Sequence, residues 1–161
     1  MKIDLHLHTK KCKQGDSSKR NIEATKFIQK MKENDVGICA ITNHNHFDIN
    51  EYEKIIHEAP DLNVFPGIEL DVKLDENKHY HTILICDPIE AQKFNDTFDN
   101  EPDRNYDAFF LSYTDFIHKI KSFSNDKIIL LTRSMRFCKR MGQIGYKKGF
   151  FLQKSSNRLF F

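Results

Sequence analysis

The segment Asp4-Leu5-His6-Leu7-His8-Thr9, close to the start of the chain, alternates apolar and polar side chains. Because side chains alternate across a β-strand, a strand here places His6 and His8 on one face and Leu5 and Leu7 on the other. Two neutral imidazoles held two residues apart on a stiff backbone can share a first-row transition metal. The pattern predicts a strand that ends in two metal ligands, although a strand with incidental surface histidines would show the same pattern.

Strand-like and helix-like segments alternate along the first 131 residues. The predicted strands cover residues 2–7, 38–42, 63–65, 68–74, 81–86 and 127–131, and the predicted helices cover about 18–34, 50–59, 88–98 and 111–123. The nearly all-apolar run 38–42 suits a strand buried on both faces, as in a parallel sheet. Strands alternating with helices are typical of right-handed βα units around a parallel sheet or barrel. We therefore predict an α/β fold.

Charge divides the chain into two parts. Residues 1–126 carry 16 Lys and Arg against 23 Asp and Glu, whereas residues 127–161 carry nine Lys and Arg and no acid. A basic end of this kind could contact nucleic acid or another polyanion. It could equally be a truncated or frameshifted end that did not evolve with the rest. We assign residues 1–131 to an α/β domain and residues 132–161 to a basic, aromatic tail.

Composition excludes several classes of protein. No run of 18 apolar residues is present, so we expect no transmembrane helix. The N-terminus lacks the apolar stretch of a secretory signal. The four cysteines are widely spaced and form no Cys-x-x-Cys pair, which argues against a zinc finger and a disulfide framework. We expect a cytoplasmic protein that does not bind a membrane.

Further side chains able to bind a metal recur beside the predicted strands. Asp16 lies in the loop after the first strand, His44 follows the second, Glu69 follows the turn Pro66-Gly67-Ile68, and His81 leads into the strand 81–86. In parallel α/β barrels the loops after the strands share one rim, where active sites lie. Several histidines and two carboxylates on one rim would give a mixed nitrogen and oxygen site suited to zinc, manganese or iron.

The ordered set of motifs resembles the PHP family, phosphoesterase domains named after polymerase and histidinol phosphatase. The matching pieces are Asp4-Leu5-His6-Leu7-His8-Thr9, Ile41-Thr42-Asn43-His44, Pro66-Gly67-Ile68-Glu69, and His81 before an apolar strand, and they cover about residues 1–87. The resemblance implies a distorted (β/α)7 barrel with up to three divalent metal ions at the carboxyl ends of its strands. It also implies hydrolysis, by metal-activated water, of phosphoesters in small phosphorylated molecules, nucleotides or nucleic acid.

The resemblance assigns roles to individual positions. His6 and His8 would bind one metal ion, Glu69 would bridge it to a second, and His81 would bind that second ion. These assignments make His6, His8 and Glu69 the catalytic residues. His44 would bind a third ion, with Asp16 as the acid of the first loop. The remaining histidines, which are His46, His57, His79 and His118, are expected to lie in loops or at the surface.

The chain departs from the family pattern after His81. The family continues with a histidine on a later strand and an Asp-x-His, whereas only His118 follows here and no Asp-x-His occurs. Thr132-Arg133-Ser134 stands where the later histidine is expected, and Arg133 could hold a phosphate but not a metal ion. We expect either the front part of such a domain, with an incomplete barrel, or a variant that has lost part of the site.

Three functions fit these observations. The first is a metal-dependent phosphoesterase, in which Lys10, Lys11 and Lys13 could orient the phosphate and Cys12 is incidental. The second is a catalytically degenerate metal-binding or regulatory module that associates with an ATPase or polymerase partner. The third is a nucleic-acid-processing protein whose basic tail grips the backbone, for which affinity should fall steeply with salt.

Overall fold

The structure, a computed structural model, describes residues 1–99, 104–124 and 126–132. The strands are β1 (Lys2–Leu7), β2 (Val36–Ile41), β3 (Asn63–Asp75), β4 (Lys78–Cys86), β5 (Leu111–Ser112) and β6 (Ile128–Thr132). The helices are α1 (Ala24–Glu33), α2 (Ile49–Glu58), α3 (Ala91–Phe98) and α4 (Tyr113–Ile120), with 3-10 turns at Ser18–Arg20 and Pro88–Glu90. Arg133 and the rest of the predicted tail lie outside the described residues.

The strands form a six-stranded mixed sheet in the order β1-β2-β3-β4-β6, and β5 pairs with β3. The first three strands are parallel and are connected through α1 and α2, as predicted. This part of the sheet brings the end of β1 beside the end of β2, where Thr42 donates its backbone N–H to Leu7 O at 2.7 Å. The α/β class predicted from the sequence is confirmed.

The expectation of an all-parallel sheet is wrong beyond β3. Strands β3 and β4 are antiparallel, and so are β4 and β6. Only Glu76 and Asn77 separate β3 from β4, and a parallel pair needs a crossover of about a dozen residues or more, so these strands can only form a hairpin. The predicted pieces 63–65 and 68–74 are one continuous strand, so Glu69 lies inside β3 and not after a turn.

Within the described ranges, strand pairing runs from β1 to β6 without closing into a barrel. The seven-stranded barrel implied by the family resemblance therefore stays a prediction. The division into a domain of residues 1–131 and a tail of residues 132–161 also stays one.

Helices pack against one face of the sheet, and a smaller apolar cluster lies on the other. The main core contains the fully buried Phe27, Phe94, Phe98 and Phe116. The second cluster consists of Ala40, Ile83, Ile85 and Leu131, with Leu5 and Phe65 packed against it. Because residues directly opposite in an antiparallel pair share a face, the register of β3 and β4 places Glu69 and Asp71 on the face of the second cluster.

Three of the four helices begin later than predicted, whereas α2 begins at Ile49, one residue before its predicted start. Helix α1 buries Ala24, Phe27, Ile28 and Met31, which recur at helical spacing. Ser17 accepts a hydrogen bond that caps the 3-10 turn, and α1 begins only at Ala24. The interruption has a tertiary cause, since Ile22 donates its backbone N–H to Thr9 O at 3.1 Å and ties the segment to the end of β1. No helix in the part of the chain that the structure describes is long and apolar enough to cross a membrane.

Candidate metal centre

Four imidazoles converge on the carboxylate of Glu69. Glu69 Oε2 lies 2.8 Å from His6 Nε2, 3.3 Å from His8 Nε2 and 3.4 Å from His44 Nδ1. Glu69 Oε1 lies 3.2 Å from His81 Nδ1. The nitrogens of His6 and His8 are themselves only 3.1 Å apart. The five predicted residues therefore form one cluster around the Glu69 carboxylate, although they come from three strands and two strand ends.

The side chain of Asn43 joins the end of β1 to the loop after β2. Its Oδ1 accepts the backbone N–H groups of Thr9 and Lys10 at 2.8 and 3.0 Å, and its Nδ2 donates to Thr9 Oγ1 at 3.0 Å. Thr9 Oγ1 donates in turn to Glu51 Oε2 at 2.7 Å. Asn43 and Thr9 are both buried, so these bonds are shielded from water. Asn43, which precedes His44, thus fixes the position of Thr9, which follows His8.

A short extension of the sheet sets His44 beside Glu69. Glu69 donates its backbone N–H to Asn43 O at 3.0 Å and accepts the N–H of Asn45 at 2.9 Å. Gly67 lets β3 approach this closely, because a β-carbon there would lie 2.8 Å from Thr42 Cγ2 and 3.0 Å from Ile41 O. Asn45 turns the loop away through a left-handed backbone conformation with φ of 53°, which asparagine tolerates better than most residues.

The β3–β4 hairpin supplies the remaining members of the cluster. Asp71 lies directly opposite His81, and Glu69 is diagonal to His81 on the same face. The Asp71 Oδ1 and His81 Nδ1 atoms are 3.6 Å apart. The His81 side chain is 56% exposed, whereas that of Glu69 is 8% exposed, so the cluster opens to solvent on the side of His81.

The electrostatics favour neutral imidazoles at His8 and His44 beside an ionised Glu69 carboxylate. Burial lowers the pKa of His8, and it lowers that of His44 to about 4. Burial also acts to raise the pKa of Glu69, but hydrogen bonds from His6, His8 and His81 outweigh it and hold this pKa well below its usual range. Hydrogen bonding to Glu69 raises the pKa of His81. Neutral imidazole and carboxylate are the forms that bind metal ions.

These residues fit a divalent cation. They offer two groups of donor atoms, one from His6, His8 and Glu69 and the other from His44, Glu69 and His81. Each group has its donor atoms within 4.8 Å of one another. Among the described residues, the buried Nδ1 atoms of His8 and His44 find no hydrogen-bond partner, although His44 Nδ1 lies close to Glu69. Buried polar atoms are rarely left unpaired, and a cation bound beside Glu69 would satisfy His44 Nδ1, the one of these two atoms that faces the Glu69 carboxylate.

Asp16 approaches the cluster but its oxygens are engaged by the chain. Its Oδ1 lies 3.3 Å from His44 Nε2 and 2.5 Å from Arg20 Nη1. Its Oδ2 accepts the backbone N–H groups of Cys12 and Lys13 at 3.0 and 2.9 Å. The structure thus places Asp16 beside His44, and its role as a metal ligand stays a prediction.

The other histidines lie outside the cluster. His46 Nδ1 contacts Asp99 Oδ2 at 2.5 Å and Tyr106 OH at 2.9 Å, so it anchors its loop. His79 packs edge-on against Phe110 on the hairpin, at 5.3 Å between ring centroids. His57 and His118 are exposed on α2 and α4.

The structure separates the three lysines of the first loop. Lys10 lies 3.8 Å from Asp48 and 3.6 Å from Glu51, and Lys11 is exposed. Lys13 alone reaches the cluster, where its Nζ contacts Asp71 Oδ2. Burial raises the pKa of the nearby Cys12 thiol to about 12, which disfavours the thiolate that a nucleophile requires.

Sequence reasoning missed Asp71 and Asn45. Asp71 stands two residues after Glu69, the spacing that singled out His6 and His8, so the same strand argument could have found it. Asn45 holds Asp71 at both ends: it accepts the Asp71 backbone N–H at 2.8 Å and donates to Asp71 Oδ2 at 3.1 Å. Nothing in the sequence pattern indicates this contact.

Comparison with known proteins identifies the family. The PHP domain matches residues 4–100, more than half of the chain. The chain belongs to the PHP domain family. Its fold is also similar to a crystal structure of a protein from Bifidobacterium adolescentis that is proposed to be a metal-dependent phosphoesterase. That similarity has a TM-score of 0.55 at 8% sequence identity and covers 90% of this chain and 75% of the other. No curated protein matches the chain.

The region matched by the PHP domain contains the whole cluster, which comprises His6, His8, Asp16, His44, Glu69, Asp71 and His81. At 8% identity the Bifidobacterium structure supports the fold alone. The PHP assignment from the four sequence motifs is confirmed.

Proposed function

We propose that the chain is a metal-dependent phosphoesterase that hydrolyses a phosphomonoester or a phosphoester of a nucleotide or nucleic acid. The observation that carries the proposal is the convergence of four imidazoles on the buried carboxylate of Glu69. The PHP family and the proposed activity of the Bifidobacterium protein support it.

The distances between the donor atoms indicate which residues would hold the cations. His6 and His8 would bind one divalent ion, His44 and His81 a second, and Glu69 both. Imidazole and carboxylate together suit manganese, zinc or iron. Such ions, when bound, lower the pKa of a water molecule and neutralise the charge of phosphate oxygens.

The protein's own contribution is to hold the donors in place. Two backbone hydrogen bonds to the loop after β2 fix Glu69, and Asn43 fixes the end of β1. The exposed side of the cluster, at His81, is where a phosphoester can enter. Burial keeps His8 and His44 neutral, so these imidazoles accept a cation without first losing a proton.

Metal content measured on the purified full chain tests the proposal. We expect bound manganese, zinc or iron in the wild-type protein and loss of that metal in both His8→Ala and Glu69→Ala. His57→Ala is the matched control, because His57 is exposed on α2 and should leave metal content unchanged. A wild-type protein that binds none of these ions would refute the proposal.

Hydrolysis assays separate an enzyme from a binding module. We expect the metal-loaded protein to hydrolyse p-nitrophenyl phosphate, bis(p-nitrophenyl) phosphate or single-stranded DNA, and Glu69→Ala to abolish that activity. Preference among these three compounds would distinguish a phosphomonoesterase from a nuclease.

A degenerate metal-binding module is the second candidate. It is favoured by the sequence after His81, which supplies only the exposed His118 and no Asp-x-His. Stoichiometric metal without turnover of any of the three compounds would support this candidate. Its partner would be an ATPase or a polymerase, which affinity purification with the metal-loaded chain would detect.

A further inference from the structure

Asp71 is a carboxylate beside the second donor group that has no assigned role. It follows Glu69 by two residues on β3, so both side chains lie on one face of the sheet. Its Oδ1 is 3.6 Å from His81 Nδ1, the atom that also approaches Glu69. Asp71 therefore adds an oxygen donor beside the group formed by His44, Glu69 and His81.

The Asp71 carboxylate is held in a fixed orientation. The amide of Asn45 binds both its backbone N–H and its Oδ2. Asn45 is itself fixed, because its Nδ2 also donates to Tyr106 O at 3.1 Å and Phe109 O at 3.3 Å. The Asp71 side chain is 12% exposed, so its charge needs compensation from a neighbouring cation.

Lys13 provides that compensation from the loop after β1. Its Nζ contacts Asp71 Oδ2, and its side chain is 18% exposed. Its backbone N–H donates to Asp16 Oδ2 at 2.9 Å, which anchors the loop at this point. The other oxygen of the same carboxylate, Asp71 Oδ1, is 3.6 Å from His81 Nδ1, so the ammonium group of Lys13 lies close to the second donor group.

We infer that Asp71 is a further metal ligand in the group of His44, Glu69 and His81, and that Lys13 competes with the divalent cation for it. The inference rests on the proposed metal centre. A cation at Asp71 Oδ1 would share one carboxylate with the Lys13 ammonium group at Oδ2, so the two positive charges repel each other and divide the same negative charge. The second group is therefore the weaker of the two, and Lys13 sets its affinity.

Titration of the metal-free full chain with Mn²⁺, followed by the electron paramagnetic resonance of free Mn²⁺, tests the inference. We expect a tighter and a weaker class of site in the wild-type protein. Asp71→Asn should weaken the weaker class by about tenfold or more, as the loss of a ligand costs at least as much as the loss of a supporting contact. Lys13→Met should tighten the same class by roughly tenfold, because a like charge is removed.

A double-mutant comparison shows whether the two residues act through each other. In the Asp71→Asn background, Lys13→Met should no longer tighten binding. Asp87→Asn and Lys127→Met are matched controls, since this half-buried pair, 2.9 Å apart, lies at the other end of β4 and should leave both classes unchanged.

The outcomes distinguish this inference from the proposed function. The inference would be overturned if the weaker class of sites bound Mn²⁺ with wild-type affinity in Asp71→Asn, or with unchanged affinity in Lys13→Met. Either result would leave the proposed metal centre intact. Absence of Mn²⁺ binding from the wild type and from Lys13→Met would overturn both proposals.

Discussion

The Oδ1 atom of Asn43 accepts the backbone N–H of Thr9 at 2.8 Å, across 34 residues of sequence. Asn43 directly precedes His44, and Thr9 directly follows His8. This side chain extends the link between the two donor-bearing segments beyond the last backbone hydrogen bond of β1 and β2, from Thr42 N–H to Leu7 O. We therefore expect substitutions at Asn43 to affect both fold stability and metal affinity.

Replacing Asn43 with alanine should destabilise the protein by about 2 kcal/mol or more, because two backbone N–H groups lose their acceptor in a buried site. Urea denaturation of the metal-free chain measures this change. Asn63→Ala is the matched control, since its amide makes one exposed contact to Gly37 O at 3.4 Å, and it should change stability by less than about 0.5 kcal/mol. Equal losses of unfolding free energy in the two variants would contradict this role of the Asn43 side chain.

Substitutions at Asn45 should separate backbone strain from side-chain bonding. Asn45→Gly and Asn45→Ala both remove the amide that holds Asp71. Only alanine has a β-carbon that destabilises the left-handed backbone conformation, by about 1–2 kcal/mol. We therefore expect Asn45→Ala to be the less stable variant by about that amount in thermal or urea unfolding. Equal stability of the two would show that the loop relaxes from this conformation.

Phe94→Ala should cost about 3–5 kcal/mol of folding free energy, since it leaves a cavity in the main core. The Phe94 ring is fully buried and packs against the rings of Phe47, Phe98 and Phe123. Phe110→Ala is the aromatic control, because Phe110 is 46% exposed, and its cost should stay below about 1 kcal/mol. A Phe94→Ala protein with wild-type urea midpoint would argue against the described core.

The thiols of Cys39 and Cys86 should resist alkylation in the folded chain. Burial raises the pKa of each to about 12, so at about pH 8 only roughly one thiol in 10⁴ is ionised and nucleophilic. Iodoacetamide labelling read out by peptide mass spectrometry should be far slower than labelling of the same cysteines in guanidinium chloride. Labelling at the denatured rate would show that these strands open readily.

Local pattern was sufficient to predict most of the elements and the donor residues. The alternation of His6 and His8, and the helical spacing of Phe27, Ile28 and Met31, reflect local geometry that a sequence displays directly. The positions of His44, Glu69 and His81 beside predicted strands marked them as candidate ligands, and the resemblance to the PHP family assigned their roles. The structure brings all three together.

What escaped prediction depends on contacts between distant segments. The pairing of β3 with β4 could have been inferred from the short Glu76-Asn77 connection, but the pattern of βα units favoured a parallel sheet. The late start of α1 follows from the hydrogen bond of Ile22 to Thr9, which local propensity cannot reveal. The contact of Lys13 with Asp71 joins a position in the first loop to a position on β3, 58 residues away.

In the hairpin of β3 and β4, the side chains of Glu69, Asp71 and His81 lie on the same face of the sheet, because side chains alternate between the two faces along each strand. Removing or adding a single residue inside the regularly paired stretch, between Glu69 and Lys73 or between His79 and Ile83, would move an acid or an imidazole to the opposite face of the sheet. The register shift between Lys73 and Asp75 shows that the region next to the turn tolerates an extra residue. Relatives of this chain should therefore vary in length at the turn and in the loop from Lys10 to Glu23, and should keep the two-residue spacing of Glu69 and Asp71.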